Sequence, residues 1–149
     1  MKRYHRRMDM PYITEVACRL IGATAVGAGV GLDRELRHKP AGLKTHALVG
    51  LGASLVTMVC AFLPDPSAMS RAIQGIVAGI GFLGGGAILK AANDESISGI
   101  TTAASIWVVA SLGIACGSGQ WLMAIMAAAI ALIVLVAGNA VEASFRKRR

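Results

Sequence analysis

Carboxylates are scarce in this sequence: eight Asp and Glu stand against fifteen Lys and Arg in 149 residues. No Ser-His-Asp order, no pair of catalytic carboxylates and no metal-ligand cluster can be assembled from them, so the residues point away from an enzyme and toward no metal and no cofactor. Cysteine is equally sparse. Cys18, Cys60 and Cys116 match no zinc or redox spacing, and each falls in a different apolar run, where it reads as a small packing residue. His5, His38 and His46 make no ligand pair at helical spacing. Charged residues of all kinds are only 15% of the chain. A soluble domain of this size needs far more polar surface, whereas a bilayer removes that need because lipid faces apolar side chains directly.

What fills the chain instead is apolar length. AVILMFWYC make up 55%, eighteen glycines are added to them, and the mean hydropathy is +0.62. A transmembrane helix takes about 20 mostly apolar residues. Five runs qualify: Thr14–Leu32, Thr45–Leu63, Ala72–Leu89, Ile97–Cys116 and Trp121–Val141. The expectation is an all-α, polytopic membrane protein of five transmembrane helices in a glycine-packed bundle. Residues 1–149 form one membrane domain with no stretch left for a soluble one. The first run is long and lacks a clear small-x-small cleavage site, so it reads as a span and not as a signal peptide.

The net charge of +7 would suit nucleic acid in a soluble protein. In a five-span chain it reads as topology and lipid contact, with no nucleic-acid partner. Five spans put the termini on opposite sides. With the first loop cytoplasmic, nine cations lie inside (Arg34, Arg37, Lys39, Lys44, Lys90 and 146–149) against five outside (Lys2, Arg3, Arg6, Arg7 and Arg71). The positive-inside rule favours this orientation, with the C-terminus cytoplasmic. The basic tail runs against it; a start at Met8 or Met10 would remove all four tail cations.

Small and polar residues mark the spans. Gly79-x-Gly81-x-x-Gly84 is formally a dinucleotide fingerprint, but it lies in a membrane-length apolar run and not between a strand and a helix. Packing is the better reading. At 100° per residue, Gly75, Gly79 and Gly86 share one face, and Ala78, Gly81 and Gly85 another, which suggests a central helix with neighbours on both sides. Gly84-Gly85-Gly86 leaves open an unwound turn around a buried site. Gly27-x-x-x-Gly31 is a second close-packing signal. Glu15 and Arg19 stand four apart in the order of a helical ion pair, and Arg19 is read as snorkelling to the headgroups, or else as part of a buried functional pair. In the fourth span, Thr101, Thr102 and Ser105 can bond a neighbouring helix, Thr101 and Ser105 sharing a face. Trp107, near the middle, is expected to pack within the bundle. Lys44-Thr45 after Gly42 is a poor likeness of a P-loop, with Leu43 where its glycine should be.

Most of the loop charge is concentrated in "GLDRELRHKPAGLKT", residues 31–45. Asp33 and Arg37 can pair across one further helical turn, and Pro40 and Gly42 allow the reversal into the second span. Anchoring at a membrane edge calls for cations only, yet this segment also carries Asp33 and Glu35. A fixed ion-pair cluster of Asp33, Arg34, Glu35 and Lys44, a surface for a partner, and an ion site are the readings open, in that order.

Three motifs carry a resemblance. Gly31-x-Asp-Arg-Glu35 followed by Lys39-Pro-Ala-Gly-Leu-Lys44-Thr45-His-Ala-Leu-Val49, then Gly79-Ile-Gly-Phe-Leu-Gly-Gly-Gly-Ala-Ile88, then Gly99-Ile-Thr-Thr-Ala-Ala-Ser-Ile-Trp107, occur in the order seen in the MgtC/SapB family. The sequence resembles that family over nearly its whole length. It departs at Lys44 for the usual Arg, Gly85 for Ala and Ile100 for Leu, and it does not contain the soluble ACT-like C-terminal domain of many members. The resemblance implies a bacterial inner-membrane protein linked to growth at low Mg²⁺ and to survival inside host cells. One branch of the family restrains the membrane ATP synthase by binding it. The expected function is therefore regulation through a membrane-protein partner, with a Mg²⁺ or other ion permeation unit built as a homo-oligomer as the alternative.

Overall fold

A computed structural model describes residues 10–91 and 98–146. Five helices fill them: α1 (Met10–Leu36), α2 (Leu43–Cys60), α3 (Ala68–Ala91), α4 (Ile100–Gly117) and α5 (Trp121–Arg146). All five are long and apolar enough to cross a membrane, and no strand occurs among the described residues. The chain is an all-α, multi-pass membrane protein. The tail cations Lys2, Arg3, Arg6 and Arg7 and residues 147–149, on which the expected orientation partly rests, lie outside the described residues, as does Ile97.

α1, α3 and α5 overrun their apolar runs, because backbone hydrogen bonds do not stop where hydropathy does, whereas α2 starts two residues early and ends at Cys60, three short of the expected Leu63. α1 continues through Asp33-Arg34-Glu35 to Leu36. α4 begins late, at Ile100, because Gly99 before it is left-handed (φ 94°) and a β-carbon there would lie 2.7 Å from the Ala87 carbonyl oxygen of α3. Left-handed backbone against a neighbouring helix is a position for glycine.

The centre of the bundle is α4, which packs against all four other helices. Half of its span is buried within the protein, the largest share of any helix. Ile106, Val109, Leu112 and Cys116 of α4 are among the most buried apolar side chains. This corrects the expectation that α3 is central: among the described residues, α3 touches only α2 and α4.

Glycine packing holds α1, α2 and α4 together: Gly27 packs as its spacing with Gly31 predicts, and Gly50 and Gly113, which the sequence did not single out, join it in place of the α3 glycines. A β-carbon on Gly27 would stand 2.5 Å from the His46 carbonyl oxygen, one on Gly50 2.5 Å from that of Ala23, and one on Gly113 2.5 Å from that of Gly50. Backbones this close gain dispersion contacts, which replace the hydrophobic drive that lipid cannot supply. By contrast, Gly75, Gly79, Gly81, Gly85 and Gly86 of α3 have nothing within 4 Å of a β-carbon, and Gly84 reaches Ala103 only at an ordinary 3.4 Å. Neither expected glycine face of α3 packs inside the described protein. Nor does Gly84–Gly86 unwind; α3 is continuous through it. Trp107 also departs from expectation, since it is 49% exposed on the lipid side of α4.

At the opposite membrane edge, Glu15 and Arg19 form the expected pair. Arg19 does more than snorkel: its Nη1 donates to the Gly117 carbonyl at 2.7 Å, satisfying a free acceptor at the C-terminal end of α4. Between α2 and α3, Asp65 accepts from the Ser67 N–H at 2.9 Å and pairs with Arg71 at 2.6 Å, which fixes the start of α3.

Candidate functional site

The site is built by the meeting of α1 and α2. Ala23, Gly27, Val30, Gly31 and Arg34 form the buried stripe of α1, at helical spacing. A β-carbon on Gly31 would lie 2.8 Å from both the His46 β-carbon and the Leu43 α-carbon. This contact carries Arg34, the next residue along the stripe, into the protein instead of out to the headgroups. Arg34 is 2% exposed, and its Nη2 donates to Thr102 Oγ1 of α4 at 2.8 Å.

A second buried polar residue, His46 of α2, lies beside it, fully enclosed. Its Nδ1 is 2.9 Å from the Gly42 carbonyl oxygen and its Nε2 2.9 Å from Ser105 Oγ. A carbonyl only accepts, so Nδ1 carries a proton and donates. Ser105 Oγ donates to the Thr102 carbonyl oxygen at 2.8 Å, which ties Thr102 to the same hydroxyl that His46 Nε2 meets. Arg34, Thr102, Ser105, His46 and Gly42 thus form one hydrogen-bonded seam through three helices. Sequence reasoning missed His46. Its signal was its place four residues before Gly50, on the small-residue stripe that continues through Ala53 and Thr57.

The three consecutive charges at the end of α1 point three ways. Asp33 pairs with Arg37, Oδ1 to Nε at 2.8 Å, as its spacing predicts. Arg34 enters the seam. Glu35 Oε2 accepts from the Leu43 N–H at 3.1 Å, closing one of the free donors at the start of α2. A β-carbon on Gly42 would collide with that carboxylate. The expected mutual ion-pair cluster of Asp33, Arg34, Glu35 and Lys44 is therefore corrected: successive residues on a helix lie about 100° apart and cannot converge on one point. Lys39 and Lys44 are exposed, Thr45 is half-buried, and no ion pair joins Lys44 to these acids. On α4, Thr102 and Ser105 are the buried pair, while Thr101 is exposed, so the expected Thr101–Ser105 face is replaced by Thr102–Ser105. Among the described residues, no three His, Cys, Asp or Glu side chains gather as a metal site would require.

Beside the seam a polar cavity of 610 Å³ opens at the same membrane edge, lined by Arg34, Lys39, Thr101, Thr102 and Asn139. A different space of 570 Å³ runs between α2 and α3 below Lys44 and Thr45, beside Gly79. The loop joining α1 to α2 is tightly made: His38 and Ala41 both take left-handed backbone, at φ 51° and 57°. The result is a polar corner at one end of the bundle, cross-linked by the hydrogen bonds of a buried guanidinium and imidazole.

Known proteins are similar to this chain in sequence. Protein SrpB of Synechococcus elongatus is 40% identical over 129 residues, covering 78% of this chain and 71% of its own. Protein MgtC of Brucella abortus is 38% identical over 130 residues, covering 87% of this chain and 52% of its own. An Escherichia coli K12 protein named putative magnesium transporter YhiD is 37% identical over 129 residues, covering 81% of this chain and 59% of its own. The chain thus spans about half the length of the Brucella relative. No solved structure gives a significant match. The sequence model of the MgtC family matches residues 20–144, a stretch that takes in α2, α3 and α4 whole together with Arg34, His46, Thr102 and Ser105, and the chain belongs to the MgtC family.

Proposed function

We propose that this MgtC-family protein is a bacterial inner-membrane regulator of adaptation to low magnesium, with a role in virulence and intracellular survival, and that it acts by binding another membrane protein. The first loop and the C-terminus face the cytoplasm in this reading. The observation that carries it is the outer face of α3, where Gly81 and Gly85 leave backbone open and Phe82 stands 84% exposed. Small residues facing lipid are the surfaces on which membrane helices associate. The seam supports the same reading. Its buried guanidinium and imidazole, hydrogen-bonded to the Thr102 and Ser105 hydroxyls, brace three helices at this membrane edge.

The family resemblance offers the membrane ATP synthase as the first partner to test. A second reading takes the same face as a contact between copies, with ions passing through the assembly; the name of the Escherichia coli relative favours it. The two are separated by a photo-crosslinking residue at position 82, used in cells growing at low Mg²⁺. The expected result is an adduct with one different membrane protein. An adduct only with itself, together with Mg²⁺ flux in liposomes, would replace regulation by permeation. Full complementation with no adduct would overturn the α3 surface.

A further inference from the structure

We infer that the groove between α2 and α3 is a binding site for one acyl chain of an anionic phospholipid, with the headgroup phosphate on Lys44. The space measures 570 Å³ and is lined by Leu48, Gly52 and Val56 of α2 and by Ile76, Gly79 and Leu83 of α3. Gly52 and Gly79 keep it open, because neither has an atom within 4 Å of its β-carbon position. Apolar side chains make its length, and Lys44 and Thr45 make its end.

Depth and charge select the occupant. Lys44 and Val56 are twelve residues apart on α2, about 18 Å of helix. A leaflet of a hydrocarbon core of about 30 Å is roughly 15 Å deep, so the groove runs from the headgroup level to the chain end of one leaflet. Lys44 stands in the first turn of α2, where the helix N-terminus adds partial positive charge. Glu35 meets that terminus at Leu43, whereas Lys44 lines the groove. A basic side chain at the interface above an apolar slot matches a phosphate above an acyl chain. Gly81 and Gly85 of the partner surface lie roughly 120–160° around α3 from Gly79, while Phe82 lies about 60° from it.

The test is native mass spectrometry of the full chain released from bilayers containing equal phosphatidylglycerol and phosphatidylcholine. The wild type is expected to retain one phosphatidylglycerol per chain. Lys44→Gln should lower the preference for phosphatidylglycerol about fivefold, the ~1 kcal/mol that one lysine contributes near an anionic surface. Gly79→Leu, which fills open space, should remove the bound lipid. Helix content and elution volume measured on both variants separate loss of lipid from loss of fold. Should Gly79→Leu prove unfolded, Gly52→Leu fills the same groove from α2. Equal retention of the two lipids by the wild type, or retention unchanged in the filled variants, would overturn the site. So would a dimer that disappears with Gly79→Leu, since the groove would then hold a second copy.

Discussion

Arg34 and Thr102 are 68 positions apart in the chain and 2.8 Å apart across the bundle. One contact therefore ties the end of α1 to the start of α4, and through Ser105 and His46 to the start of α2. A buried guanidinium is costly in an apolar interior unless hydrogen bonds meet it, so the seam is a condition for placing Arg34 there.

Removing the acceptor should show this directly. Thr102→Val keeps the side-chain shape and is expected to lower stability by about 1.5–3 kcal/mol, the range for a hydrogen bond to a charged group. Arg34→Met should also destabilise. Because the two residues share a bond, the double variant should cost less than the sum of the singles. Thermal unfolding in a single detergent measures all three. Strictly additive costs would mean that the contact carries no energy.

Glycine substitutions should divide by helix. Gly50→Ala and Gly113→Ala each put a β-carbon 2.5 Å from a carbonyl oxygen of the facing helix. Both should reduce thermal stability and loosen the α1–α2–α4 core. Gly81→Ala and Gly85→Ala meet nothing within 4 Å and should raise helix stability by up to about 1 kcal/mol each, the usual gain over glycine. Equal losses in both groups would place α3 in the core after all.

The start of α3 should be sensitive to acid. The Arg71 guanidinium, followed by the N–H and hydroxyl of Ser67, holds the Asp65 carboxyl below its ordinary value. Its contribution is present above the carboxylate's unfolded value and is lost as pH falls through the lower folded one. Hydrogen-exchange protection at residues 68–71, corrected for intrinsic rate, should therefore persist through the usual carboxylate range and fall only below it. Asp65→Asn should abolish that step. A step of the same size in the variant would assign the titration to another group.

Several features were legible because they depend on local periodicity. The five apolar runs define the five spans. The four-residue spacings make the Asp33–Arg37 and Glu15–Arg19 pairs on any helix, and Gly27-x-x-x-Gly31 packs wherever α1 lies. Arg34 could be placed on a face by the same arithmetic, seven residues after Gly27. Read with its neighbours in the charge run, it was assigned to them. The helix sends Asp33 to Arg37, Arg34 to Thr102 and Glu35 to Leu43.

By itself the sequence determined the number of membrane crossings, the local ion pairs and the family motifs, since each is set by apolar length or by residues within one or two helical turns. Tertiary structure alone decided that α4 and not α3 is central, that Thr102 and not Thr101 faces inward, and that His46 bridges α2 to α4. The reason is the solvent. In water, an apolar face marks the inside of a helix; in a bilayer both the lipid and the protein interior are apolar, so hydropathy cannot tell them apart. Which glycine meets a neighbour and which meets lipid depends on where the other four helices lie.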